Sequence, residues 1–235
     1  QQTGRSSVSI GYEAGLYGQG GPSRYIGRNA GSGTGTHSSI GVAIGYQAGI
    51  RLRAGGSHAH TFVGWRAGFQ MSGSNDFFGY QAGYGSVSSA PYGSGQFNVG
   101  VGTNALYNLS TGDNNTAVGR GAGDSITTGY DNTLLGHEVG DSLTTGYQNV
   151  AVGKGALGAA NDGHSNTAIG HLAMGNSATN AGNTNVAIGI RTMEEVNDGF
   201  ANTYVGGFAG GSEGFVSGDY NVGVGYQADK TRIGG

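Results

Sequence analysis

Apolar and polar residues alternate in short segments that recur along the whole chain. The clearest copies read NTAVG, NVAVG, NTAIG and NVAIG and begin at Asn115, Asn149, Asn166 and Asn185. Alternation with period two predicts β-strands, because successive side chains of a strand point to opposite faces. Apolar residues do not recur at the three-four spacing of an amphipathic helix, so we expect an all-β protein.

A glycine closes each of these segments and sets the period of the repeat. Most intervals between these key glycines are 16 to 19 residues, with extremes of 15 and 23. A fixed period near 17 predicts a solenoid, in which each repeat forms one coil and contacts its neighbours. The thirteen key glycines are Gly11, Gly27, Gly45, Gly64, Gly79, Gly102, Gly119, Gly136, Gly153, Gly170, Gly189, Gly206 and Gly225.

Each coil is predicted to contain two short extended pieces and a turn rich in Asp, Asn, Thr and Gly. Coils stacked at about 4.8 Å would form a rod about 60 Å long. Equivalent positions then line up, and a ladder of asparagine amides is expected to bond coil to coil. Its predicted members are Asn98, Asn115, Asn132, Asn149, Asn166, Asn185, Asn202 and Asn221.

The expected interior of such a coil is thin. We expect one Val or Ile, one Thr or Val and one or two Ala to point inward in each repeat. That little apolar burial hardly offsets the backbone entropy of the ordered residues, which costs about 1–2 kcal/mol each. We therefore predict an obligate oligomer, most simply a homotrimer about the rod axis.

Composition divides the chain into two regions and a tail. Residues 1–100 hold six Arg against two acids and 13 of the 22 aromatic residues, in irregular repeats with longer inserts. Residues 101–229 form regular repeats, and 230–235 are a C-terminal tail. The net charge of −3 argues against a nucleic-acid partner, and the absence of cysteine excludes disulfides and thiolate metal sites. No apolar run approaches 18 residues and the N-terminus lacks a signal-peptide pattern, so we expect no membrane insertion.

The phrases SVSIG (7–11), GVAIG (41–45) and NVAIG (185–189) resemble the head repeats of trimeric autotransporter adhesins. The longer phrase NALYNLSTGDNNTAVGRGAG (104–123) is similar to repeats that precede an endosialidase-type intramolecular chaperone in phage tail fibres and fibre adhesins. This resemblance implies a left-handed parallel β-roll of about 13 coils, assembled as a homotrimeric fibre. It also implies an extracellular location, on a virion tail or a bacterial surface, and adhesion to a host envelope.

Candidate ligand-binding residues occupy the position directly after the key glycine, which we call the post-glycine row. Its early members include an aromatic run, and its middle members a basic run. Aromatic rings stack on sugar faces and cations bind carboxylate or phosphate, so the row suits host polysaccharide or lipopolysaccharide. The alternative is that these large side chains only cover the Gly- and Ala-rich coils. The aromatic run is Tyr46, Trp65 and Tyr80, and the basic run is Arg120, His137, Lys154 and His171.

Two long inserts add further candidates, because function concentrates in loops on a rigid scaffold. The insert 49–61 contains Arg51 and Arg53, and the insert 84–98 contains Tyr84 and Tyr92. The HAH segment at 58–60 would place two imidazoles on one face of a strand, but a solvated turn is the simpler expectation. We therefore expect no metal site and no cofactor.

Other functions are weighed against adhesion. No nucleophile elbow or phosphate-binding loop occurs, so we expect no enzymatic activity. A polysaccharide depolymerase with an inter-subunit site remains the enzymatic alternative. An ice-binding solenoid is the other, since Thr116, Thr133, Thr167 and Thr203 share one position in the repeat. Valine interrupts this row, and we therefore expect it to face inward.

Overall fold

The computed structural model describes residues 7–16, 22–33, 38–50, 57–85, 93–158, 161–176, 182–195, 199–211 and 218–229. These residues form thirteen β-strands in one parallel sheet, and they include no helix. The strands are β1 Val8–Ile10, β2 Arg24–Ile26, β3 Ser38–Ile44, β4 Ser57–Val63, β5 Asp76–Phe78, β6 Val99–Val101, β7 Thr116–Val118, β8 Thr133–Leu135, β9 Val150–Val152, β10 Thr167–Ile169, β11 Val186–Ile188, β12 Thr203–Val205 and β13 Val222–Val224.

Each strand pairs only with its neighbours in sequence, so the sheet order is the chain order. Equivalent residues of the repeat are in register, as where Ala117 lies opposite Leu134 and Leu134 opposite Ala151. A parallel sheet built in this order from repeats of near-constant length is a β-solenoid. The predicted all-β solenoid is therefore confirmed.

The side-chain direction within the strands is opposite to our expectation. The central residue of β7, Ala117, is fully buried, whereas Thr116 and Val118 on either side face outward. The same pattern holds in β9, where Ala151 is buried and Val150 is 39% exposed. The Val, Ile and Thr positions that we predicted to be inward thus form an outer face of the sheet.

The core is also larger than predicted, because the turns contribute to it. Fully buried Leu and Ile side chains come from segments that the sequence marks as connections, such as Leu109, Ile126 and Leu143. Phe62 and Phe77 replace alanine at two strand centres and are also buried. The prediction of a thin core is therefore wrong, and the case for an oligomer has to rest on the outer face.

The predicted asparagine ladder is present and extends one coil further, to Asn75. In most regular coils the side-chain oxygen accepts two hydrogen bonds from the next asparagine, one from its backbone N–H and one from its amide. For Asn115, the bonds from Asn132 measure 3.1 and 2.9 Å. The amide nitrogen of Asn115 donates to Asn98 at 3.0 Å and to the carbonyl of Gly129 at 2.8 Å. The buried Asn115 amide thus uses all four of its hydrogen-bonding positions, as buried polar groups require.

The key glycines superpose along the rod, as the period predicted. A Cβ atom built on Gly153 would lie 2.5 Å from the carbonyl oxygen of Gly170, and the same close approach repeats from Gly11 to Gly206. Gly153 also has a φ of 130°, which L-residues rarely adopt. The coils therefore stack this closely only because no side chain lies at the bend after each strand.

The HAH segment is part of a strand rather than a turn. Strand β4 pairs along its full length with β3, so His60 lies opposite Gly41. The His60 ring is 3% exposed and stacks on Phe62 at 4.6 Å. The expectation of a solvated turn here is wrong. The side chain of His58 lies outside the described residues.

Candidate functional site

The post-glycine row runs across the sheet just after the C-terminal ends of the strands, and three aromatic members of the row stack on one another. Trp65 stacks on Tyr46 with centroids 5.9 Å apart and on Tyr80 at 4.8 Å, with interplanar angles of 15° and 6°. Successive coils place the rings at the strand spacing, which suits parallel stacking. We call Tyr46, Trp65 and Tyr80 the first aromatic ladder.

This stacking limits how the first ladder can meet a ligand. Both faces of the Trp65 ring are covered by its two neighbours, and the Arg66 guanidinium lies 4.4 Å from its centroid. A sugar therefore cannot lie on the face of Trp65 while the ladder is intact. The exposed part of the ladder consists of ring edges and of Tyr80, which is 48% exposed.

A second aromatic ladder runs beside the first, four residues further along each coil. Tyr84 stacks on Phe69 at 4.8 Å and on Tyr107 at 4.9 Å. Only Tyr84 was predicted as a site residue. Phe69 and Tyr107 could have been found by aligning the coils on their key glycines, since each follows its own glycine by five residues.

Arg66 joins the two ladders. Its guanidinium carbon lies 4.4 Å from the Trp65 centroid and 5.0 Å from that of Phe69. Its Nε donates to the side-chain oxygen of Gln47 at 2.7 Å. The fold thereby places the Arg66 guanidinium against both aromatic ladders, which the sequence analysis did not relate to each other.

The positive charge of the basic run is partly offset by a neighbouring carboxylate, that of Glu138. Nη1 of Arg120 is 2.7 Å from Nε2 of His137 and 3.4 Å from the Glu138 carboxylate, which is also 3.4 Å from His137. Arginine has donors only, so the contact between Arg120 and His137 is a hydrogen bond when Nε2 of His137 is the accepting nitrogen. Lys154 and His171 continue the row and are exposed.

A third stack lies on the turn side of the regular coils. Tyr147 stacks on Tyr130 at 4.8 Å and on His164 at 4.6 Å. The sequence analysis missed this stack. Its signal is the position two residues before the ladder asparagine, which is aromatic in three successive coils.

Two half-buried carboxylates adjoin the basic run. Burial raises the pKa of Asp124 and of Asp141 above the usual range of aspartate, and the charge of Glu138 raises both further. Asp141 is also affected by Asp124, one coil away. Among the described residues, no group of three or more His, Cys, Asp or Glu side chains is placed to hold a metal ion.

The remaining predicted residues, Arg51, Arg53 and Tyr92, lie outside the described residues. Within the described part of the chain, no helix has the length and apolar character needed to cross a bilayer. The chain matches no family model, no curated protein and no solved structure in the comparisons made with it.

Proposed function

We propose that this chain is a segment of an extracellular, homotrimeric fibre of the phage tail-fibre or bacterial surface-adhesin type, wound as a left-handed β-roll. In this proposal the rod is a rigid support, and the side chains along its edges bind polysaccharide or lipopolysaccharide of a host envelope. The repeat phrases that resemble fibre and adhesin repeats support it. So does the solenoid architecture, although a fold alone does not specify a function.

The observation that carries the proposal is an apolar column on the outer face of the sheet. The last residue of every strand is apolar in all thirteen strands, and none of these side chains is buried. Leu135, Ile169 and Ile188 are 49%, 37% and 37% exposed. The residue two positions before the last one of each strand forms a second outward column, of Val and Thr except at Arg24 and Asp76. We call these two columns the outer strip.

The outer strip is large enough to contribute a substantial part of an interface. From strand spacing and rise per residue, the two columns measure about 60 Å by about 10 Å. The resulting area, about 600 Å² per copy, approaches the roughly 800 Å² that each partner buries in a standard interface. The column of last strand residues is apolar over all thirteen strands, and soluble monomers rarely expose apolar patches larger than a few hundred Å². We infer that further copies of this chain cover the outer strip, because identical coils have the same spacing along the rod and would align with it coil by coil.

Particle mass in solution tests the proposal. We expect about three times the chain mass of 23.5 kDa. Replacing Leu135 and Ile169 together by Asp should reduce the mass to that of one chain or cause precipitation, because buried carboxylates have no partner there. Thr145→Asp, at an exposed position on the turn side, is the control and should keep the parent mass. A soluble single-chain species of the parent protein would contradict the proposal.

Ice binding is a second candidate, because the threonine row faces outward and not inward as predicted. Thr116 and Thr133 are exposed, and Thr167 and Thr203 are half-exposed. A flat, regularly spaced row of this kind could order water if the strip were not covered by other copies. Thermal hysteresis together with a single-chain mass would favour this function over the fibre.

A further inference from the structure

A row of polar side chains follows the post-glycine row by one residue in three consecutive coils, and one of them, Arg66, contacts both aromatic ladders. Arg66, Gln81 and Asn104 are each the second residue after a key glycine, and each is half-buried. The N–H of Gln81 donates to the carbonyl of Trp65, and that of Asn104 to the carbonyl of Tyr80, so the three lie on consecutive coils. We call Arg66, Gln81 and Asn104 the polar floor.

The aromatic walls beside this floor present edges and hydroxyl groups. Stacked rings expose their edges, which are electropositive and favour oxygen atoms of a ligand. Burial raises the pKa of the Tyr107 hydroxyl, Tyr84 and Tyr80 raise it further, and Arg66 lowers it. Tyr107 therefore lies within electrostatic reach of Arg66, whose guanidinium also contacts the ring of Phe69 in the same ladder.

Arg66 and Arg28 have no ion pair with a carboxylate among the described residues, unlike Arg120 and Arg191. Arg120 pairs with Glu138, and Arg191 with Glu194 at 2.6 Å. Among the described residues, no ion pair involves Arg66, whose Nε is bound to the neutral amide of Gln47. The surrounding residues 1–100 contain only two acids, Glu13 and Asp76. A guanidinium held over two rings without an acidic neighbour is suited to pair with the carboxylate of a ligand.

We propose that the polar floor binds a carboxylate-bearing polysaccharide, with Arg66 pairing with a sugar carboxylate. The amide of Gln81 and the amide nitrogen of Asn104, whose side-chain oxygen is buried, hydrogen-bond the hydroxyls of the adjoining sugar units. Tyr84 and Tyr107 contribute their hydroxyls from the second ladder. Binding uses ring edges and polar groups rather than stacking of sugars on ring faces, since those faces are covered within the ladders. This inference rests on the proposed function and names its ligand class.

The test is a binding measurement on the full chain. The probes are hyaluronate, alginate, polygalacturonate and polysialate, each compared with its carboxyl-reduced form and with neutral dextran. We expect binding to at least one acidic polymer, lost on carboxyl reduction and weakened by salt. Arg66→Gln should weaken it at least about tenfold, as for a lost charge-assisted hydrogen bond. Tyr84→Phe and Tyr107→Phe keep the stacks and should weaken it by a smaller factor.

Arg191→Gln is the charge-matched control, because Arg191 also lies over an aromatic ring, that of Phe208, but far along the rod from the polar floor. Its partner Glu194 keeps a hydrogen bond from the amide of Asn176, and the variant should bind like the parent. Equal losses in Arg191→Gln and Arg66→Gln would reduce the effect to net charge and overturn the proposal. So would absence of binding to every acidic polymer. Binding of neutral dextran alone would overturn the ligand class but leave the glycan-binding fibre standing, whereas a single-chain mass would refute the fibre itself.

Discussion

Removal of one ladder amide, by Asn132→Ala, tests whether the asparagine ladder holds the coils together. The Asn132 amide nitrogen donates to the Asn115 side chain and to the Gly146 carbonyl, both at 2.9 Å. Its oxygen accepts from the backbone N–H and the amide of Asn149, both at 3.0 Å. The substitution removes all four bonds, and the side chain that makes them is 1% exposed.

The expected loss of unfolding free energy follows from these bonds. Each contributes about 0.5–1.5 kcal/mol net, so the four together amount to about 2–6 kcal/mol. The backbone N–H of Asn149 is the group most affected, because it donates its hydrogen bond to the Asn132 side-chain oxygen. The upper half of the range applies if water does not replace that acceptor. Such a loss is a large part of the stability of an ordinary domain.

Urea unfolding followed by circular dichroism measures the effect, and hydrogen exchange locates it. We expect faster exchange in the coils on both sides of β8, because a solenoid is stabilised by contacts between neighbouring coils. Thr145→Ala, at an exposed turn position, is the control and should change the stability by less than about 0.5 kcal/mol. A loss below about 1 kcal/mol for Asn132→Ala, with unchanged exchange near β8, would refute the structural role of the ladder.

Two further predictions concern the bends and the carboxylates. Gly153→Ala should destabilise the protein far more than Gly225→Ala. The two glycines have similar φ angles, 130° and 125°, but the new methyl group meets the next coil only at Gly153. Equal changes in melting temperature would show that φ alone matters. Burial and the Asp124 and Glu138 carboxylates raise the pKa of Asp141, so folding favours its protonated form. The stability that this provides is present below the unfolded pKa of about 4 and is lost as pH rises through the folded pKa. Asp141→Asn should therefore stabilise the protein at pH 7 by about 0.2–1 kcal/mol, as for relief of opposed like charges, but not at pH 3. Urea unfolding midpoints at pH 7 and pH 3 measure the effect. A gain of equal size at pH 3 would contradict the raised pKa of Asp141.

The repeat itself was readable from the sequence because its physical cause is local. A residue such as Gly153 must lack a side chain wherever coils approach within contact distance, and this requirement recurs once in each coil. Asn132 recurs for a similar reason, since its amide must match those above and below it. The period, the strand before each key glycine and the asparagine ladder were therefore predicted correctly, whereas the second extended piece predicted after each key glycine is a turn. The aromatic stack at Tyr130 and Tyr147 obeys the same period and was missed only because that position was not compared between coils.

The direction of the strand side chains was not readable, because period two defines two sets of residues but not which set is inside. Hydrophobicity alone favours Val118 for the interior and Ala117 for the surface, the reverse of what the structure has. The interior of a coil this narrow has little volume, and part of it is taken by asparagine amides that must reach neighbouring carbonyls. The inward-facing strand position next to Asn is therefore mostly occupied by small Ala side chains, and the larger Leu side chains enter the core from the turns. The position of Arg66 between two aromatic ladders likewise depends on which residues of successive coils come together. The sequence thus determined that the coils stack and at what interval, because those demands act within each repeat. The tertiary structure decided which face is apolar and where charge meets aromatic edges, because those depend on the space that closed coils leave.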